Sequence, residues 1–327
     1  MNRRNILRRA GALLALAATG TTAVRAQADK AITIVVPYAP GGTTDMLGRL
    51  IAQQMGTALG RTVVVDNKPG AGTAIGAGQV ARSAPDGSTL LVATSTTLAI
   101  NPWLYKKLPY DPIKDFAPVG MIGAVPLMVV VHPSVQANSL AELVALAKAR
   151  PQGLSYGSAG NGSPQHLAAE MFKSQFGVNL THVPYKGSSP ALTDLLGGQT
   201  QLMFIDIAPA LPHVRSGKLR ALAVTSRKRQ AALPAVPTVA ESGLPGGEGF
   251  EAVAWQSIVA PAGTPPALIE RYSQQLARIV SQPELRQQLE RDGFEAASST
   301  PAQLAAYIRS ESQRWGRVVS ESGTTID

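Results

Sequence analysis

Short apolar runs alternate with stretches of helical periodicity along most of this chain. Residues 32–36, 62–66, 89–93, 155–157, 180–183, 201–205 and 221–224 read as strands. Most are unbroken apolar runs, the pattern required of parallel strands buried on both faces. After the first of them, Met46, Leu47, Leu50, Ile51 and Met55 recur at helical spacing, so one stripe of a helix faces that strand. Helix starts carry their own chemistry. Ser163-Pro164, Thr264-Pro265 and Thr300-Pro301 each set a hydroxyl at the N-cap and a proline at the first helical position, and Ser139 with Glu142 makes a capping box. From residue 265 onward the pattern is helical, with Leu268, Ile269, Tyr272, Leu276 and Ile279 on one stripe and Leu304, Tyr307, Ile308, Trp315 and Val319 on another. This order predicts an α/β fold.

Two longer apolar runs, 125–131 and 253–259, bracket the middle of the chain. Roughly 300 residues exceed what one hydrophobic core usually carries. The pattern therefore predicts two lobes joined by two crossing strands: residues 27–126 with 256–327 in lobe 1 and 127–255 in lobe 2, the C-terminal helices returning to the first. Ahead of these, Arg3, Arg4, Arg8 and Arg9 precede an apolar run too short to span a bilayer, and Val24 and Ala26 are small enough for a signal peptidase. Residues 1–26 are thus expected to be a cleaved export signal, of twin-arginine or general secretory type, cut after Ala26 or Ala28. The whole chain carries a net charge of +9, five units of it from arginines in that segment, which leaves +4. The remaining cations are scattered, with Arg227-Lys228-Arg229 read as a solvated loop, and aromatic residues make up 5% of the chain, so no nucleic-acid platform is expected. The lack of cysteine excludes a disulfide framework, thiol catalysis and thiolate metal sites, and the four histidines show no ligand spacing. Neither metal nor cofactor is expected.

Candidate chemistry lies in three glycine-rich turns, each running from a strand end into a helix start, where ligands of α/β sheets bind. The first supplies Tyr38, Gly41, Gly42, Thr43 and Asp45 around a helix N-terminus whose unpaired N–H groups suit an anion. The second, Pro69-Gly70-Ala71-Gly72-Thr73, supplies Ala71 and Thr73; its next glycine is Gly76, which breaks the dinucleotide fingerprint, and no Walker spacing occurs. The third supplies Ser158, Asn161, Gly162, Ser163 and His166. Ser95, Tyr185 and Asp206, beyond or at other strand ends, complete the candidate cleft. Several have structural alternatives. Ser163 is equally an N-cap, Asp206 either accepts from a ligand or caps the helix after it, His166 faces the cleft or the surface, and Tyr185 lines the cleft or packs beneath it. Ser158 lacks the G-x-S-x-G elbow and no triad is evident, so an enzyme is not expected.

Taken together, the segment Val36-Pro37-Tyr38-Ala39-Pro40-Gly41-Gly42-Thr43-Thr44-Asp45, then Asn67-Lys68-Pro69-Gly70-Ala71-Gly72, Tyr156-Gly157-Ser158-Ala159-Gly160 through His166-Leu167, and Val183-Pro184-Tyr185-Lys186-Gly187 resemble the Bug family in order and spacing. These are the TctC-like solute receptors of tripartite tricarboxylate transporters, and the resemblance covers essentially the whole mature chain. It implies a two-lobed periplasmic binding protein of Venus-flytrap, type II-like architecture. Such a receptor, expected to be a monomer, closes over a small carboxylate (a di- or tricarboxylate, an aromatic acid or an amino acid) and delivers it to integral-membrane permease subunits. The resemblance also implies that the loops 38–45 and 158–163 hold the carboxylate, partly through ordered waters, with Asp206 at the cleft. The candidate loops carry no cluster of Arg or Lys, so neutral donors and helix ends would do the holding. A receptor that docks on a sensor protein is the alternative, and a periplasmic hydrolase using Ser158 a remote one.

Overall fold

Strand β1 (Ile32–Val36) is apolar except at Thr33, because parallel partners flank it on both edges: β2 (Val63–Asn67) and β3 (Thr89–Thr94). The computed structural model describes residues 30–322 apart from 151, so the expected export signal lies outside the described residues. Between these strands run α1 (Thr43–Leu59) and α2 (Ala74–Ala81), and a π-turn at Thr96–Ile100 leads from β3 into the short α3 (Asn101–Leu104). The chain then enters β4 (Phe116–Val131), a strand of 16 residues. There follow α4 (Leu140–Lys148), β5 (Leu154–Ser158), α5 (Pro164–Phe176), β6 (Leu180–Pro184), α6 (Ser188–Leu196), β7 (Leu202–Asp206), α7 (Ile207–Arg215) and β8 (Arg220–Val224). Strand β9 (Val253–Pro261), α8 (Pro266–Val280), α9 (Pro283–Arg291), β10 (Glu295–Ala296) and α10 (Pro301–Ser322) complete the order.

The strands run β2-β1-β3-β9-β4-β7-β5-β6 across the molecule, with β8 and β10 also on β4. Strand β4 joins the two lobes. Its first part pairs antiparallel with β9, from Phe116 opposite Pro261 to Pro126 opposite Val253, and its second part with β7, from Leu127 opposite Asp206 to Val131 opposite Leu202. The chain returns where the Ala252 N–H donates to the Thr225 carbonyl (3.1 Å) and Val253 opens β9. This register sets Asp206 at the seam, and it sets Gln256 of β9 opposite Thr94 at the end of β3.

Alternating strand residues feed cores on opposite faces. On one side of the seam, Ile34, Leu90 and Ile258 pack with Ile51, Met55 and Leu276, while Val35, Leu91 and Val259 share a cluster with Trp255, Ile308 and Trp315. On the other, Leu127 and Val129 join Tyr156, Phe172 and Phe204, and Met128 and Val130 join Leu195, Met203 and Ile205. Helix α10 therefore packs with elements from the start of the chain. Its buried Glu311 accepts from the indoles of Trp255 (2.9 Å) and Trp315 (3.1 Å) and from the Arg314 guanidinium (2.8 Å).

Two expectations need correction. Strand β4 begins at Phe116 rather than near residue 125, because Pro118, Gly120 and Gly123 break the apolar run and coincide with register shifts against β9. Thr264 does not cap α8; its hydroxyl donates to the Pro261 carbonyl (2.7 Å), and Pro265 occupies the N-cap with Pro266 at the first helical position. Ser139 and Thr300 do cap, accepting from the N–H groups of Glu142 (3.1 Å) and Gln303 (3.2 Å).

Candidate ligand-binding cleft

The ends of β1, β3 and β7 and the starts of α1, α5 and α6 converge at the seam around an inner chamber. One lobe contributes Tyr38, the α1 start from Gly42 to Thr44, Thr94, Ser95 and the β9 residues Trp255 and Gln256; the other contributes Ala159, Gln165, Ser188 and Asp206. The lobes touch beside it: the Ala39 N–H donates to the Lys186 carbonyl (3.1 Å), and a Cβ on Gly41 would lie 3.1 Å from Ser189 Oγ.

Gly42 caps α1 with extended backbone and no side-chain acceptor, so the first turn of the helix presents bare N–H groups at the chamber wall. Asp206 occupies the N-cap position of α7 without capping it. Its Oδ1 accepts instead from Gln165 Nε2 (2.8 Å), and burial pushes its carboxyl up to about 6 despite that hydrogen bond and the nearby Thr43 hydroxyl. Burial likewise pushes the Tyr38 phenol up to about 12; its hydroxyl donates to Thr96 Oγ1 (3.1 Å). Thr43 Oγ1, Ser95 Oγ, Gln165 Oε1 and Gln256 Oε1 are buried without a hydrogen-bond partner among the described residues. Buried polar atoms are normally paired, so these unpaired ones, divided between the two lobes, leave hydrogen-bonding capacity around the chamber.

Tyr38 and Ala159 also line a second, outer chamber. One wall is the loop Gly70 (φ +126), Ala71 (+46), Gly72 (+53) and Thr73 (+78), whose two non-glycine members are strained. Packing from behind holds it. Thr97 Oγ1 donates to Thr73 Oγ1 (3.0 Å), and Asn101 Nδ2 donates to the Gly72 carbonyl (2.8 Å) and to the Tyr110 hydroxyl (3.0 Å). The amides of Ala71 and Gly72 have no acceptor among the described residues. Opposite stand Gly160, Asn161, Tyr185 and Lys186, the last being the one cation of the lining. The approach is close: a Cβ on Gly72 would meet Asn161 O at 2.9 Å and Tyr105 Oη at 2.8 Å.

Of the residues singled out in the sequence, Tyr38, Gly42, Thr43, Ser95 and Asp206 line the inner chamber, and Ala71, Thr73, Asn161 and Tyr185 line the outer one. The others serve the walls. Asp45 accepts from the Gly41 N–H (3.0 Å), Arg49 Nε (3.0 Å) and Asn67 Nδ2 (2.9 Å), which ties the first loop together from behind. Ser163 caps α5, accepting from the His166 N–H (3.2 Å). His166 accepts from the Gly162 N–H (3.1 Å) and stacks on His182 at 4.0 Å instead of facing the cleft. Burial pushes these two imidazoles down to about 4 and about 3, so both are neutral. Ser158 is fully buried with its Oγ 2.6 Å from His182 Nε2, away from either chamber.

Sequence reasoning passed over Thr44, Gln165 and Ser188, which lie within or beside the quoted motifs, and Thr94, Trp255 and Gln256, which lie in strands with no local signal. Tyr105 and Lys186 of the outer chamber were also passed over.

Residues 47–324 match the family model for the tripartite tricarboxylate transporter family receptor, TctC. The chain is 39% identical over 296 residues to protein BugT of Bordetella pertussis, with 90% of each chain covered. In structure it is similar to R. palustris Rpa4515 with adipate, at a TM-score of 0.87 and 37% identity over 90% of this chain and 97% of that one. It is also similar to the periplasmic binding protein BugD, at a TM-score of 0.86 and 36% identity over 90% and 98%. The match extends across both lobes, so the α/β architecture is that of a periplasmic binding protein. With its family-model match and this relationship to BugT, the chain belongs to the TctC, or Bug, family of tripartite tricarboxylate transporter receptors.

Proposed function

We propose that this protein is a periplasmic receptor that captures a small carboxylate-bearing molecule between its lobes and delivers it to a tripartite tricarboxylate-type membrane permease. The observation that carries this reading is the outer chamber. There the uncommitted amides of Ala71 and Gly72 on one lobe face Asn161 and Lys186 on the other. Amides fixed in a strained loop, with one cation opposite, suit a carboxylate and lose little order on binding it. The adipate in the Rpa4515 structure, a dicarboxylate, supports the same ligand class.

Binding residues divide between the two lobes, so a ligand that bridges them favours the closed arrangement by its differential contacts. We assign residues before 127 and after 252 to one lobe and the segment between to the other, moving the expected return from 256 to 253 because Val253, Ala254 and Trp255 already pair with Pro126, Val125 and Ala124, with hinges at Pro126–Leu127 and Ala252–Val253. Residues 1–26 serve as the cleaved export signal that brings the protein to the periplasm. Capture without turnover fits the burial of Ser158 against His182, outside the chambers.

A thermal-shift screen of the mature protein against carboxylic acids tests capture. A matching acid at a hundred times its Kd adds about 2.7 kcal/mol of stability; no shift across mono-, di- and tricarboxylates would contradict the reading. Delivery is tested by uptake of the stabilising acid in cells, which should require both this receptor and the permease subunits.

A further inference from the structure

The two chambers offer opposite chemistry. The outer one presents donors, the amides of Ala71 and Gly72, with the exposed Lys186 among its lining residues. The inner one presents three acceptors with no side-chain cation, beside the Thr43 and Ser95 hydroxyls, which can donate or accept. Asp206 is 5% exposed, and the hydrogen bond it accepts from Gln165 Nε2 (2.8 Å) fixes that amide, so the unpaired atom of Gln165 is its carbonyl oxygen. Gln256 Nε2 donates to Thr44 Oγ1 (3.0 Å), which leaves its carbonyl oxygen unpaired as well.

Among the described residues, no Lys, Arg or His lines the inner chamber. Around Asp206 stand Gln165 from α5, Thr43 from the α1 start, Tyr38 from the loop after β1, Ser188 from the α6 start and Gln256 from β9. None is a cation, and the Tyr38 phenol is neutral. The helix starts of α1, α5 and α6 are the positive influences at this chamber, and the buried Asp206 carboxylate among them already answers them. A second ligand carboxylate in this chamber would meet a buried carboxylate and two amide oxygens with no counter-charge, an arrangement that burial makes costly. An ammonium group would satisfy all three acceptors and neutralise the chamber.

We infer that the ligand is an amino acid in the broad sense, with its carboxylate in the outer chamber and its ammonium in the inner one, held by Asp206, Gln165 and Gln256. This rests on the carboxylate-receptor reading above and narrows it. The two groups lie on either side of the neck formed by Tyr38 and Ala159, which belong to both chambers. An ammonium requires ionised Asp206, so affinity should rise with pH through about 6 and level off above it. A dicarboxylate would require protonated Asp206 and show the opposite slope.

Calorimetric titration of the mature protein tests this with acids of equal length that differ at one end: 6-aminohexanoate, 6-hydroxyhexanoate and adipate, their shorter counterparts, and α-amino acids against their desamino acids. Within the matching length, the ammonium member should bind at least about tenfold more tightly than the dicarboxylate. Asp206→Asn should abolish that preference. The pH series on the unaltered protein gives the same answer independently of whether the variant folds. Dicarboxylates binding as tightly as amino acids, or amino-acid affinity unchanged in Asp206→Asn or falling with pH through about 6, would overturn the inference while leaving the carboxylate receptor standing. Failure of every acid to bind would overturn both.

Discussion

Asp206 is buried at a helix N-cap position yet does not cap, and the pH dependence of stability should report this. Its carboxyl is raised from an ordinary value of 3.8 to about 6. A raised acid contributes stability that is fully present below the unfolded value and lost as pH rises through the folded one, here on the order of 3 kcal/mol between about pH 4 and 6. His166 and His182 act in the opposite sense. They are depressed by burial to about 4 and about 3, so their contribution is present above 6.5 and lost as pH falls. The ligand-free melting profile sums these opposing effects, and the difference between Asp206→Asn and the unaltered protein isolates the first. The variant should gain relative stability as pH rises from about 4 to 7; a difference that stays flat would contradict a raised, buried carboxyl. Gly72 makes a second residue-scale case. Its φ of +53 and its approach to Asn161 O leave no room for a Cβ. Gly72→Ala should lower stability by about 1 kcal/mol and weaken ligand binding by holding the lobes apart, and calorimetric affinity equal to that of the unaltered protein would contradict this. The glycines and small residues of these turns were legible in the sequence because their types answer a local backbone demand. The direction of a side chain was not. Ser158 and His166 sit in the same motif as Asn161, but His182, which takes both, arrives from the neighbouring strand β6.

At the scale of elements, legibility followed periodicity. Strands such as β1 and β7 are unbroken apolar runs and were found close to their bounds, whereas the first part of β4 was hidden by Pro118, Gly120 and Gly123. Those residues serve the tertiary structure: a Cβ on Gly123 would lie 2.2 Å from the Glu295 carbonyl oxygen of β10, so the glycine admits that strand. The π-turn after β3 has no periodic signature at all, and it carries Thr97 toward the strained loop from behind. Helix α10 was legible as an amphipathic stripe, but its polar anchor was not, since Glu311 gathers Trp255 from a strand 56 residues earlier in the chain. Glu311→Leu should leave the two indoles and Arg314 without their shared acceptor and lower stability by about 3 kcal/mol. Chemical denaturation measures it, and a loss of well under about 1 kcal/mol would show that the helix is held by its apolar stripe alone.

For the whole molecule, the two-lobed plan followed from length and element order, and the resemblance of the turn motifs pointed to the family. The cleft's inner wall was not foreseeable in full, because Thr94 and Gln256 become neighbours only through the antiparallel pairing of β3 with β9. Closure is a property of this scale. The passages between lobes are few and both lie at one seam, so a ligand spanning the chambers should draw the lobes together. Small-angle scattering of the mature protein should show a smaller radius of gyration with a stabilising acid present than without it, and no change would count against a closing cleft. The most direct measurement of carboxylate capture is a crystal structure with the acid that gives the largest thermal shift. The expected result is a carboxylate between the lobes, within hydrogen-bonding distance of the Ala71 and Gly72 amides, directly or through one water. A carboxylate bound elsewhere on the protein, or contacting only one lobe, would contradict the proposed function.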